Sequence, residues 1–356
     1  MPAREWQDAR LARGAPPHLW ERLDELVQEA PRTSDLVHHR LHLFAAQRLR
    51  SRREPVPAEF VREEQATALL SMMAPHVLAR VRETLNGPIL LIKGPEVAAR
   101  YPDPQLRPFV DLDLLVPDAA AAQRQLLAAG FEEAGEPEPY RDIHHLRPLR
   151  WPDLPLLVEV HSEAKWPSGS RPPATSELIA VAVPSATGIP GIDTVPPEHH
   201  ALLLAAHSWA HEPLRRLLEL VDITVMTSIA DREEIERLAE RWDIRSLWRT
   251  TIAASDSLFG ERAAPLALRL WARNLARVRG RTVLESHLEK WIGSFWSEPP
   301  VPAFRRSVRA LADDLAPKAG EGWGRKLRRT GLAIVNSGRR RAEHDHMVER
   351  RSGRDR

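Results

Sequence analysis

The chain has 356 residues, 43% of them hydrophobic, which is enough for a sizeable core and for more than one structural region. It contains no cysteine, so disulfides, thiolate metal sites and a cysteine nucleophile are excluded, and a formal charge of +2 does not make the whole chain a polyanion binder. Its apolar runs fall far short of the roughly 20 residues of a membrane span, and 1–13 is charged rather than leader-like, so a soluble cytoplasmic protein is expected.

Up to residue 85 the sequence predicts helices over 19–29, 35–50 and 58–85, the last open to a break at Pro75. Leu36, His39, Leu43 and Ala46 recur at spacings of three and four, the period of an amphipathic helix. The character then changes. Short β-type runs occur at Pro88-Ile-Leu-Leu-Ile-Lys93, Val110-Asp-Leu-Asp-Leu-Leu-Val116 and Leu156-Leu-Val-Glu-Val-His161, with a helix over 119–129 ended by Gly130 between the last two. Helical patterns return over 198–211, 213–229 and 231–242, and in at least three more segments reaching Trp296; Asp231 and Glu234 have the spacing of a capping box. The expected organisation is α+β: a helical region (1–85), a small mixed-sheet core (86–195), a second helical region (196–318) and a basic tail without stable structure (319–356).

In the second strand Asp111 and Asp113 project from one face while Leu112 and Leu114 point to the other. Two neighbouring carboxylates repel, and a divalent cation offsets that repulsion; Mg²⁺ favours such hard oxygen ligands together with substrate phosphates. An edge strand with its aspartates in water has the same short pattern. In the third strand Glu159 and His161 share a face. If the two strands are neighbours, three carboxylates converge, the set a two-metal phosphoryl or nucleotidyl transfer needs. His161 is then placed to hydrogen-bond Glu159.

Upstream, Leu91-Ile-Lys-Gly-Pro-Glu96 reads as strand, tight turn and helix start. Gly94 lets backbone amides approach a phosphate and Lys93 adds positive charge, although turns of this kind also serve packing alone. Only five of the 51 basic residues are lysines, namely Lys93, Lys165, Lys290, Lys318 and Lys326, so a lysine here stands out against arginine-rich usage.

The ordered set Lys93-Gly94, Tyr101-Pro-Asp-Pro-Gln-Leu-Arg107, Asp111-Leu-Asp113, Gly130-Phe131, His144-His145 and Val158-Glu-Val-His161 resembles the uncharacterised nucleotidyltransferase family of the polymerase-β-like superfamily. The resemblance is strong over 88–166 and looser through His207, His211, Leu217 and Asp222. It implies a nucleotidyltransferase core in which Gly94 lies in the phosphate-binding turn and Asp111, Asp113 and Glu159 bind metal, Mg²⁺ or Mn²⁺. The implied activity is transfer of a nucleotidyl group, most simply AMP from ATP, to a hydroxyl on a small molecule, peptide or protein. Arg107 is placed to reach phosphate or to pair with Asp103. The sequence departs from the superfamily's Gly-Ser or Gly-Gly turn, having Lys93-Gly94-Pro95. A kinase-like phosphoryl transfer at the same metals, or a scaffold engaging a protein through its helical flanks, remain alternatives.

His207 and His211 have the helical spacing of a zinc pair, but no zincin glutamate follows the first, and packing or substrate contacts are favoured. His144 and His145 suit a substrate contact or a structural role equally. The arginine-rich tail lacks interleaved aromatics, so nucleic acid is not the favoured partner. Trp209, Trp242, Trp248 and Trp271 fall at helical positions and are expected in the core.

Overall fold

The computed structural model describes residues 17–135, 146–167, 169–260, 263, 265–317 and 321–341. Among the described residues four helices come first: α1 (Pro17–Glu29), α2 (Thr33–His38), α3 (His42–Ser51) and α4 (Ala58–Thr84). The predicted helix over 35–50 is therefore two helices. Arg40 takes φ of 56°, and Leu41 N–H bonds the Leu36 carbonyl at 2.8 Å, a left-handed stop that ends α2. Pro75, by contrast, does not break α4. It lies on the exposed face, where water can reach the carbonyl that loses its N–H partner, while Leu70, Ala74, Val77 and Leu78 hold the inner face in the core.

Among the described residues the sheet has seven strands: β1 (Leu90–Leu91), β2 (Asp111–Leu115), β3 (Glu132–Glu133), β4 (Leu149–Arg150), β5 (Leu157–His161), β6 (Val183–Pro184) and β7 (Asp193–Thr194). Their order is β3-β4-β5-β2-β1-β7-β6, with β2–β5 and β1–β7 parallel and the other pairs antiparallel. Short helices α5 (Pro95–Ala98), α6 (Ala119–Ala128) and α7 (Thr175–Ala180) join them. α6 begins at Asp118, whose carboxylate accepts Ala121 N–H at 2.8 Å. It ends at Gly130, with φ of 100°.

The second helical region is α8 (Pro197–His211), α9 (Leu217–Ser228), α10 (Arg232–Arg241) and α11 (Arg245–Phe259), followed by α12 (Leu266–Trp271), α13 (Arg273–Ala276), α14 (Val283–Ile292), α15 (Pro300–Leu315) and α16 (Trp323–Val335). Asp231 caps α10 as expected, but its own N–H goes to Glu198 Oε1 at 2.8 Å. The reciprocal capping box forms instead at Thr282 and Glu285 on α14. Within the stretch expected to lack stable structure, Trp323–Val335 form α16 and Arg340 pairs with Asp35 at 2.6 Å, while 342–356 lie outside the described residues. Among the described residues no helix is long and apolar enough to cross a membrane.

Two cores flank the sheet. Leu112, Leu114, Val158 and Val160 point into one, against α4 and α6. The other joins α1–α3 to α8–α11 and carries buried Trp209, Trp242 and Trp248. The opposite face of β2 and β5 is thus turned toward α8, whose Leu203, Leu204 and His207 line the cavities over it.

Candidate active site

Parallel pairing of β2 with β5 sets Asp113 opposite Glu159, with Asp111 opposite Leu157 and Leu115 opposite His161. Residues opposite one another in neighbouring strands share a face, so Asp111, Asp113, Glu159 and His161 all point the same way. The alternate positions are hydrophobic and buried, which excludes a one-residue slip, because that would drive the acids into the core. His161 Nε2 lies 3.3 Å from Asp113 Oδ1 and 3.6 Å from Glu159 Oε2. Asp113, Glu159 and His161 each bring a ligand atom within 4.8 Å of the others, so the imidazole takes the place in this trio that the sequence assigned to Asp111.

The charges around these acids are strongly unequal. Burial would push the Asp113 carboxyl up, but His161, Lys93 and His207 outweigh it and hold it below the usual carboxylate range. Burial and the nearby aspartates push Glu159 up, and burial and Asp113 do the same to Asp111. Burial pulls the Lys93 ammonium down against the attraction of Asp113, Asp111 and Glu219. A buried carboxylate and a half-buried one with an imidazole, and a third carboxylate on the same face, form a donor set suited to a divalent cation. The oxygens fit Mg²⁺, and the imidazole nitrogen also admits Mn²⁺.

The Lys93-Gly94 turn is built into the edge of this face. Ile92 N–H bonds the Asp113 carbonyl at 3.0 Å, and the Ile92 carbonyl accepts from His200 Nε2 at 2.5 Å. Gly94 has φ of 63°, and a β-carbon there would lie 2.9 Å from the Asp111 carbonyl oxygen. The helix that follows, α5, spans only four residues, so its dipole adds little to the backbone amides and Lys93 at this turn.

Arg107 is tied elsewhere than the sequence reading placed it. Its Nε and Nη2 each lie 2.8 Å from the Asp222 carboxylate, its Nη1 donates to the Gly94 carbonyl at 3.2 Å, and Tyr101 Oη donates to Asp222 at 2.5 Å. Asp103 instead accepts Gln105 N–H at 2.9 Å. The guanidinium braces the turn against α9.

A cavity of about 240 Å³ lies along the Asp111 side of the acids, bounded by Lys93, Gly94, Arg40, Arg216, His207 and Glu219 among others. A smaller one of about 30 Å³ lies on the Asp113 and His161 side and includes Lys165. Lys93 and His207 line both, so His207 faces the site; the His211 side chain, and with it any zinc pairing of the two, lies outside the described residues. Also outside them are His144 and His145, and the Trp271 side chain. Sequence reasoning missed Arg40, Arg216, Glu219 and Lys165. For Lys165 a signal existed, since the scarcity of lysine that singled out Lys93 applies to it equally.

A family model described as an uncharacterised nucleotidyltransferase matches residues 27–260, well over half of the chain. No curated protein matches the chain, and no solved structure does.

Proposed function

This chain belongs to the uncharacterised nucleotidyltransferase family, and from that premise we propose that it transfers a nucleotidyl group, most simply AMP from ATP, to the hydroxyl of an acceptor. The observation that carries the reading is the β2–β5 register, which gathers Asp113, Glu159 and His161 within 4.8 Å with Asp111 on the same face. Asp111, Asp113 and Glu159 would hold Mg²⁺ or Mn²⁺, with His161 as a neighbouring donor. Bound there, such cations neutralise the triphosphate and acidify the attacking hydroxyl.

The chain's own groups supply the rest. The acceptor oxygen bonds to the α-phosphorus, the bond from that phosphorus to its bridging oxygen breaks, and pyrophosphate leaves. Glu159, opposite Asp113 on the same face, is placed to take the hydroxyl proton. Lys93 adds positive charge beside the aspartates, and Gly94 permits close approach of the turn.

Purified protein incubated with α-labelled or γ-labelled ATP, Mg²⁺ and candidate hydroxyl compounds tests this. Label from the α position should enter product, and the Asp111→Ala/Asp113→Ala variant should lose the transfer. Transfer of the γ label instead would make the reaction a phosphorylation.

A further inference from the structure

Positive charge in the cleft comes from the helical flanks as well as from the Lys93-Gly94 turn. Arg40, which follows α2, and Arg216, which precedes α9, line the same cavity as Lys93 and Asp111. His39 fixes both. Its Nδ1 accepts Leu217 N–H at 3.1 Å and its carbonyl accepts Leu218 N–H at 3.3 Å, while Nε2 lies 2.9 Å from the Arg279 carbonyl. With Nδ1 accepting, Nε2 carries the ring proton and donates it to that carbonyl. The residue after His39 and the residue before Leu217 are thereby locked onto one wall.

Arg40 occupies a left-handed position, φ of 56°, where glycine would fit without strain. Strain of this sort points to a task for the side chain. Among the described residues neither Arg40 nor Arg216 forms an ion pair, whereas Arg215 beside them pairs with Glu212 at 3.1 Å. Burial lowers the Arg216 guanidinium, and the nearby cations Arg40 and Arg215 crowd it further against the opposing pull of Glu219 and Glu212. A polyanion relieves that crowding. Arg107 cannot be the group that does the gripping, because Asp222 already closes its fork.

We propose that Arg40 and Arg216 grip the β- and γ-phosphates of the nucleoside triphosphate, so that the helical regions before and after the sheet core in the chain together complete the nucleotide site. Guanidinium forks match phosphate oxygens in geometry and stay charged at any working pH. This assignment rests on the nucleotidyl-transfer reading above.

Calorimetric titration of the full chain with inorganic tripolyphosphate, ATP and AMP, in the presence of Mg²⁺, tests it. Arg40→Gln and Arg216→Gln should each weaken tripolyphosphate and ATP binding by about tenfold or more, the usual worth of a hydrogen bond to a charged group, and leave AMP binding nearly unchanged. Arg40→Gly removes the guanidinium while relieving the backbone, so it should melt no lower than the parent and still lose that affinity. Folded variants with unchanged tripolyphosphate and ATP affinity, or with AMP weakened as much as ATP, would overturn the assignment. Transfer of α label is read separately. Active transfer with unaltered affinity in the variants defeats the arginine clamp alone, and absent transfer with lost tripolyphosphate binding defeats the transfer reading alone.

Discussion

Gly94 shows how little room the site leaves at the level of single residues. With φ of 63° and ψ of −125°, its backbone lies where side chains are strained, and a methyl group would meet the Asp111 carbonyl at 2.9 Å. Gly94→Ala should therefore lower stability by about 1–3 kcal/mol, read from a denaturant midpoint, and should reduce any transfer activity further by displacing Asp111. His39 makes a different prediction. Burial lowers its pKa from 6.5 to about 3, so the folded ring stays neutral as the pH falls while the unfolded one takes up a proton. Its contribution is complete above pH 6.5 and is lost progressively down to about pH 3. The stability gap between the wild type and His39→Gln should narrow across that window; a gap constant from pH 7 to 4 would show the ring to be charged. At this scale the acids were legible, because alternation along a strand assigns a face to Asp111, Asp113, Glu159 and His161. Arg40 and Arg216 were not. Arginine is common throughout this chain, and nothing local distinguishes the two that long-range contacts through His39 bring to the cleft.

Between elements, the link that matters most is the one from the lead-in of β2 to α9. Arg107 and Asp222 are each under a tenth exposed and share two hydrogen bonds of 2.8 Å, with Tyr101 completing the carboxylate. Removing one partner strands a buried charge. Asp222→Ala should cost about 3–5 kcal/mol, seen in thermal or denaturant unfolding, whereas the apolar pair Arg107→Met/Asp222→Leu should recover most of it. If the double variant is as unstable as the single one, the bond from Arg107 to the Gly94 carbonyl is the dominant contribution instead. The faces of β2 and β5 were legible from the sequence, but their adjacency entered only as a condition, since alternation excludes a one-residue slip without choosing the partner strand. The helix boundaries were less legible: periodicity ran unbroken across 39–41, since the stop there depends on an arginine taking a conformation that glycine usually supplies. The helix over 58–85 was read as open to a break at Pro75, and it stays whole because the exposed position of that proline lets solvent take the carbonyl it frees.

At the scale of the whole molecule, the family match ends at residue 260 but the physical unit does not. Leu268, Ala272, Leu275 and Val278 lie in the same core as α1, α3, α8 and α9, and Arg279 supplies the carbonyl that holds the His39 ring. A chain cut after 260 would lose that apolar contact and the ring's acceptor together. Burying a single leucine or valine is worth about 1.5–3 kcal/mol, and marginal domains hold only about 5–15 kcal/mol in total. Such a chain is expected to lose cooperative unfolding, and with it the wall that carries Arg40 and Arg216. A cut after 317 removes much less. It takes away α16 and the Arg340 partner of Asp35, leaving that carboxylate with the Gly280 N–H at 3.4 Å. The shorter deletion should therefore melt cooperatively at a lower temperature and keep its nucleotide affinity. Near-ultraviolet circular dichroism and ATP titration of the two truncated chains separate these outcomes; a well-packed, ATP-binding chain ending at 260 would show that the helices beyond it are accessory to the site.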